Sequence, residues 1–238
     1  MDGNKAAPIA PRVPNPTAHL AIFVTTKCNL RCAYCYANGG DSGKTIDRDT
    51  WRLAMDYFFS TFLSDSKRAD LSIHGGGEAT VEFSTLKEIV ADFLDRARAR
   101  GLRPSIHMGS NGTYGEEVHR WIIDHNIGVN ISLDGPPQAQ NLLRPFQGGQ
   151  PSYDVVERNL NVLVAAGRRV SVRVTVTDST LEWMEETIRL TRRLGVATVH
   201  FEPRLAGRTV RCHGGGKARC RWRQHLRFGH DPATVPMR

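Results

Sequence analysis

The strongest constraint on the fold is a repeated alternation of short apolar runs with helical stripes of hydrophobic residues. Ala21–Val24, Leu71–His74, Ser105–Met108, Val129–Asp134, Val170–Val176 and Thr198–Phe201 read as six strands. Between them lie five amphipathic patterns: Trp51/Met55/Phe58/Phe59/Phe62, Leu86/Ile89/Val90/Phe93/Leu94, Val118/Trp121/Ile122, Val156/Leu160/Leu163 and Leu181/Met184/Ile188. Asp47 is placed to cap the first helix, and Gly101, Gly128, Gly167 and Gly195 mark where the later ones stop. Strands separated by helices of this length cannot be hairpins, so they pair in parallel through crossover units. The expected fold is α/β: a partial (β/α)6 TIM-like barrel, incomplete at the C-terminus, formed by residues 19–203.

That architecture predicts which side chains meet. Loops at the C-terminal ends of parallel strands converge on one face. Along each strand alternate residues point to opposite sides. Val170, Val172, Val174 and Val176 therefore pack outward, while Ser171, Arg173 and Thr175 face the lumen. In the same way Val129, Ile131 and Leu133 pack outward, and Asn130, Ser132 and Asp134 turn in. Buried polar groups of this kind require partners or a ligand.

The loop after the first strand reads CNLRCAYCY and places Cys28, Cys32 and Cys35 within eight residues. Thiolates are soft ligands, suited to zinc or an iron–sulfur cluster. A structural zinc site closes on four ligands. Three clustered thiols instead hold three irons of a cubane [4Fe–4S] cluster and leave the fourth iron open to a ligand. Cys32-x-x-Cys35 taken alone also reads as a redox pair or half of a zinc knuckle.

Composition narrows the class. The chain has 238 residues, 40% hydrophobic and 24% charged, which is the usage of a soluble globular protein with a core of ordinary depth. No apolar run reaches the roughly 18 residues that a membrane span needs. Five cysteines, three of them clustered, do not form a disulfide framework, which points to a reducing cytoplasm. From Arg204 onward nine Lys/Arg stand against Asp231 alone, so this segment carries the whole net charge of +8 and the remainder is neutral. A basic nucleic-acid-binding face is therefore not expected.

Cys28-x-x-x-Cys32-x-x-Cys35, with Tyr34 before the last cysteine, resembles the cluster loop of the radical S-adenosylmethionine (radical SAM) superfamily. Asn29, Leu30, Arg31 and Tyr36 resemble the branch that matures peptides and proteins, including anaerobic sulfatase-maturing enzymes and relatives with a C-terminal SPASM domain. The resemblance implies a [4Fe–4S] cluster on the three cysteines, with S-adenosylmethionine (SAM) bound beside it and Tyr34 among the cofactor contacts. His74-Gly75-Gly76-Gly77-Glu78 resembles the family's GGE motif, which implies that Gly76, Gly77 and Glu78 engage the SAM ammonium; Ala79 stands where the family commonly has proline. Asn111, in Ser110-Asn111-Gly112-Thr113, resembles a turn near the SAM face. Ser132, in Ser132-Leu133-Asp134-Gly135, resembles a hydrogen-bond partner of SAM. Arg173 resembles the basic residue that pairs with the SAM carboxylate.

The resemblance further implies a peptide or protein substrate and a flavodoxin- or ferredoxin-like reductant. His200 and Glu202, two apart on the last strand, are candidate substrate contacts. The His-Asp pair that relatives carry before an arginine is replaced by Gln140-Asn141 ahead of Arg144. Residues 1–18, with four prolines among small residues, read as a disordered leader. Residues 204–238 read as an irregular basic tail, expected from a shift of reading frame or a degenerate terminus, with a basic interaction tail as the alternative. Two other readings of the whole chain stay open: a catalytically inactive scaffold, and a zinc or redox thiol protein.

Overall fold

The computed structural model describes residues 18–37, 40, 43–61, 67–204 and 225–227. Its strands are β1 (Ala18–Phe23), β2 (Arg68–His74), β3 (Arg103–Ser110), β4 (Gly128–Ser132), β5 (Val170–Val176), β6 (Thr198–Pro203) and β7 (His225–Arg227). The helices are α1 (Arg48–Thr61), α2 (Phe83–Ala99), α3 (Glu116–Asp124), α4 (Pro137–Leu143), α5 (Tyr153–Ala165) and α6 (Met184–Arg193). One sheet runs β1 to β7 in sequential order. β1 to β6 pair in parallel, giving the six-stranded core expected of a partial barrel. β7 pairs with β6 antiparallel and was not anticipated from the sequence. The leader and the basic tail fall outside the described residues, apart from Ala18, Arg204 and 225–227.

The strand alternation is realised. Leu71, Ile73, Ile106, Met108, Val129, Ile131, Val172, Val174 and Val199 are buried under the helices. Ser72, Asn130, Ser132, Ser171, Arg173 and His200 are half-buried on the opposite, inner face. Trp51, Met55, Phe58 and Phe59 of α1 meet Leu86, Ile89, Val90 and Phe93 of α2 in the core. Phe58, Phe59 and Phe93 form an aromatic triangle with centroids 5.2–6.4 Å apart. Phe62, expected on the same stripe, lies outside the described residues.

Helix ends follow local chemistry. The Asp47 carboxylate accepts from the Thr50 backbone N–H at 2.8 Å, as a cap should, and these bonds hold its pKa below the usual carboxylate range. Gly101, Gly167 and Gly195 sit at positive φ just past α2, α5 and α6. Gly128 does not end α3. Asn126 takes the left-handed conformation there (φ 53°), while Gly128 opens β4, where a β-carbon would lie 2.6 Å from the His107 ring.

Two sequence expectations change at helices. The short helix α4 was not anticipated, because its seven residues open on Pro137 directly after Pro136 and carry no periodic stripe. Leu181 is exposed in a 3-10 turn, and the buried face of α6 is Thr187, Leu190 and Thr191. The two threonines satisfy their hydroxyls on backbone carbonyls of the preceding turn, so polar residues occupy a stripe that hydropathy alone assigns elsewhere.

The α1–α2 contact generates a stability prediction. Phe93→Ala is expected to lower the unfolding free energy by about 3–5 kcal/mol in urea denaturation, and Leu53→Ala, on the exposed face of α1, by under about 0.5 kcal/mol. Similar losses for both would show that α1 and α2 do not share the core described.

Candidate functional site

The loops at the C-terminal ends of β1, β2, β3 and β4 come together at the cysteines. After β1 the chain is held in place by Thr25, which bridges to Thr45, and by the backbone bond from Thr26 N–H to Lys44 O, 2.8 Å. The Cys35 N–H closes a turn on Cys32 O at 3.0 Å. None of the three cysteines is in a disulfide. Burial raises the Cys28 thiol pKa, helped by Glu78 and Cys35, and pushes that of Cys32 up to about 11; Arg144 pulls Cys32 the other way, and Cys28 and Cys35 raise it further.

The glycine turn after β2 lies directly against this loop. Gly77 N–H donates to Thr25 O (3.1 Å) and Glu78 N–H to Lys27 O (2.8 Å). A β-carbon on Gly77 would stand 1.9 Å from Lys27 O, so only glycine permits the approach, whereas one on Gly76 would meet only side-chain atoms at 3.4 Å or more. The Tyr36 hydroxyl donates to Gly75 O at 3.0 Å.

Glu78 is 2% exposed. Its Oε1 accepts from the backbone N–H (3.2 Å) and hydroxyl (2.8 Å) of Thr80 and from the Ser110 hydroxyl (3.0 Å), and its Oε2 accepts from the Asn111 N–H (2.6 Å). A carboxylate offers about four acceptor positions, so donors of this chain fill it. Burial raises its pKa and the four hydrogen bonds oppose the rise.

Asn111 lies beside the cysteine loop. Its Nδ2 donates to Asn29 Oδ1 at 2.8 Å and stands 3.9 Å from Cys28 Sγ, and its Oδ1 accepts from the N–H and hydroxyl of Thr113.

The other wall of the loop is built by the segment after α4, which the sequence did not single out, and by Asp134 and Arg144. The backbone N–H groups of Arg31 and Ala33 donate to Pro145 O (2.8 Å) and Leu143 O (2.9 Å), Leu30 bridges to Phe146, and Gln147 N–H reaches Asn29 O (2.9 Å). Asp134, fully buried, accepts from Arg144 Nε at 2.8 Å, from the Thr175 N–H at 2.9 Å and from the Tyr34 hydroxyl. Arg144 Nη1 is 3.9 Å from Cys32 Sγ, and its guanidinium lies 5.2 Å from the Tyr34 ring centre. Burial is the largest single influence on the Arg144 charge and works against it, but Asp134, Tyr34 and Cys32 together outweigh it and raise the pKa. Tyr34, its pKa raised by burial, is thus anchored on Asp134. Arg144 was noted in the sequence only as the arginine behind Gln140-Asn141; its pairing with Asp134 has no periodic signature.

On the inner face Ser132 and Arg173 are register partners, as are Arg173 and His200. Arg173 Nε is 3.7 Å from Glu202 Oε1, an ion-pair distance too long for a hydrogen bond. Buried Arg173 Nε and Asn130 Oδ1 have no hydrogen-bond partner. His200 and Glu202 both lie on this face, with Glu202 exposed. A cavity of about 520 Å³ opens beside Cys28, lined by Lys27, Asn29, Arg31 and Gln147 among others.

Among the described residues no three His, Cys, Asp or Glu are gathered around a single metal ion. Three thiols outside any disulfide, two of them with an N–H donor 3.9 Å from the sulfur, are a soft donor set of the kind that holds a cubane cluster. The unpartnered polar atoms of the inner face fit a polar ligand beside it.

Comparison with known proteins agrees with this geometry. An uncharacterized protein of Methanocaldococcus jannaschii is 29% identical over 185 residues, covering 77% of this chain and 62% of that one. The sporulation killing factor maturation protein SkfB of Bacillus subtilis is 28% identical, covering 60% of this chain and 33% of its own. The solved structure of anSMEcpe with bound AdoMet superposes with a TM-score of 0.70 at 19% identity, over 79% of this chain and 51% of that one. The chain thus spans between a third and two thirds of the length of these proteins. The sequence profile of the Radical SAM superfamily matches residues 22–191, most of the chain, and the protein belongs to that superfamily.

Proposed function

We propose that residues 19–203 are the core of a radical SAM enzyme that holds a [4Fe–4S] cluster on Cys28, Cys32 and Cys35, binds SAM beside it, and acts on a peptide or protein. The observation that carries this reading is the convergence of three thiols outside any disulfide with the Gly75–Glu78 turn at the C-terminal ends of β1 and β2. When bound, the cluster supplies one electron that splits SAM at its C5′–S bond, giving methionine and a 5′-deoxyadenosyl radical that takes a hydrogen atom from the substrate.

The chain's own residues position and shield. Each cysteine thiolate would hold one iron, and the Gly76–Gly77 turn would offer backbone acceptors to the SAM ammonium. Glu78 serves that turn by fixing Ser110 and Asn111, because its oxygens are occupied. Arg173 and Ser132, register partners on the inner face, would take the SAM carboxylate, with Asn111 and Tyr34 framing the cysteine loop. His200 and Glu202 lie beyond Arg173 as substrate contacts.

A peptide substrate is supported by the similarity to the SkfB maturation protein and by the solved anSMEcpe complex with AdoMet and the Cp18Cys peptide. Thiols kept for a cluster suit a reducing cytoplasm and an electron-donor protein of the flavodoxin or ferredoxin kind.

Anaerobic reconstitution is expected to give about four irons per chain. Cys28→Ala, Cys32→Ala or Cys35→Ala should each remove most of that iron, and Cys212→Ala and Cys220→Ala should leave it. One zinc per chain, or iron lost only from the latter pair, would refute the cluster assignment. Detection of 5′-deoxyadenosine separates an active core from an inactive scaffold.

Glu78 generates a separate expectation. Glu78→Ala and Glu78→Gln should each lower the stability of the metal-free chain in urea denaturation by about 1–3 kcal/mol or more, since buried donors lose their acceptor. A side chain acting only on the SAM ammonium would leave that stability unchanged and weaken SAM binding alone, by about ten- to a hundred-fold.

A further inference from the structure

The group that most exceeds its structural need is Arg144. Its Nε and Nη2 engage Asp134 at 2.8 and 3.3 Å, Nη2 also donates to Thr175 Oγ1 at 3.2 Å, and Nη1 is left facing Cys32 Sγ at 3.9 Å. The surroundings leave the fork one orientation. The Arg144 N–H donates to Gln140 O at 2.8 Å, its carbonyl accepts from the Ser152 hydroxyl at 2.7 Å, and the Gln140 side chain holds the Asp134 N–H at 2.9 Å. The side chains of Arg144 and Asp134 are 8% and 0% exposed, so both charges have left water. A buried ion pair adds little net stability over an apolar pair of similar volume. Its position therefore matters more than its energy, and the cationic end is the one aimed at the thiol.

We infer that Arg144 is a positioning residue that raises the reduction potential of the cluster through Cys32. This rests on the proposed cluster reading. Reduction adds one electron, and hence one negative charge, to the cluster and its thiolates. A fixed N–H donor and a cation in a dry site stabilise the reduced form more than the oxidised one. Asp134 orients the guanidinium and screens part of its charge. The two residues should therefore move the potential in opposite directions, which a purely architectural pair would not do.

The test is an anaerobic EPR-monitored redox titration of the reconstituted full chain, with iron content measured on each sample. In the double variant Asp134→Asn/Arg144→Gln, neutral replaces neutral. Its reduced-to-oxidised ratio at fixed poise should fall about tenfold, which for a one-electron couple is about 59 mV downward. Arg144→Lys, which keeps the charge, should recover most of that shift. Asp134→Asn alone, nearly isosteric, should move the ratio upward, and it supplies the test if the double variant does not fold. An iron-replete double variant with an unshifted potential, or Asp134→Asn moving downward or not at all, overturns the inference while leaving the cluster reading intact. A wild-type chain that takes up no cluster overturns both.

Discussion

The buried pair Asp134–Arg144 is the interaction on which the candidate site depends. It ties the end of β4, the segment after α4, β5 through Thr175, and the cysteine loop through Tyr34 into one network. Each member alone would be a buried polar group in deficit; together their strongest donors and acceptors are matched. Removing one charge would leave the other unpaired, at a cost of about 3–5 kcal/mol. A loop of nine residues with no regular structure is held in this way, with its backbone satisfied by Leu143, Pro145 and Phe146 rather than by a ladder of its own.

A second wall complements the first. Gly77 lets the β2 turn touch the backbone of the cysteine loop, and Glu78 gathers Thr80, Ser110 and the Asn111 N–H around one carboxylate. Asn111 carries the connection onward to Asn29 and toward Cys28. The loop is thus clamped between a charge-paired wall on the β4–β5 side and a carboxylate-centred wall on the β2–β3 side. Both walls end in an N–H near a sulfur.

Much of this was legible in the sequence, for physical reasons that also explain what was not. Period-two alternation in Val170–Val176 fixed its two faces, because one face must be buried and the other cannot be. The cysteine spacing and the glycine run were legible because few side chains can ligate softly or permit close approach. α4 was missed because a short helix that opens on a Pro-Pro pair carries no stripe, and the Thr187/Thr191 face of α6 because satisfied hydroxyls imitate solvent-facing residues. The role of Glu78 was assigned from its motif, yet two of its four hydrogen bonds come from Ser110 and Asn111 at the end of β3, and no local pattern reports them.

The inner face carries the last step of the argument. Its strands present Ser, Asn, Arg and His where the helix-covered face presents Val, Ile, Leu and Met. Asn130 Oδ1 and Arg173 Nε are buried there without hydrogen bonds, and burial, followed by the charges of Arg173 and His19, lowers the pKa of His74. A sheet whose only task was to cover its helices would not keep a guanidinium in that position, since an unpaired buried donor is costly. Glu202 approaches Arg173 but stops at 3.7 Å, so the Nε–H keeps no hydrogen bond. On the function proposed above, a carboxylate-bearing ligand would supply that acceptor, which gives the polarity of this face a reason that covering the helices does not.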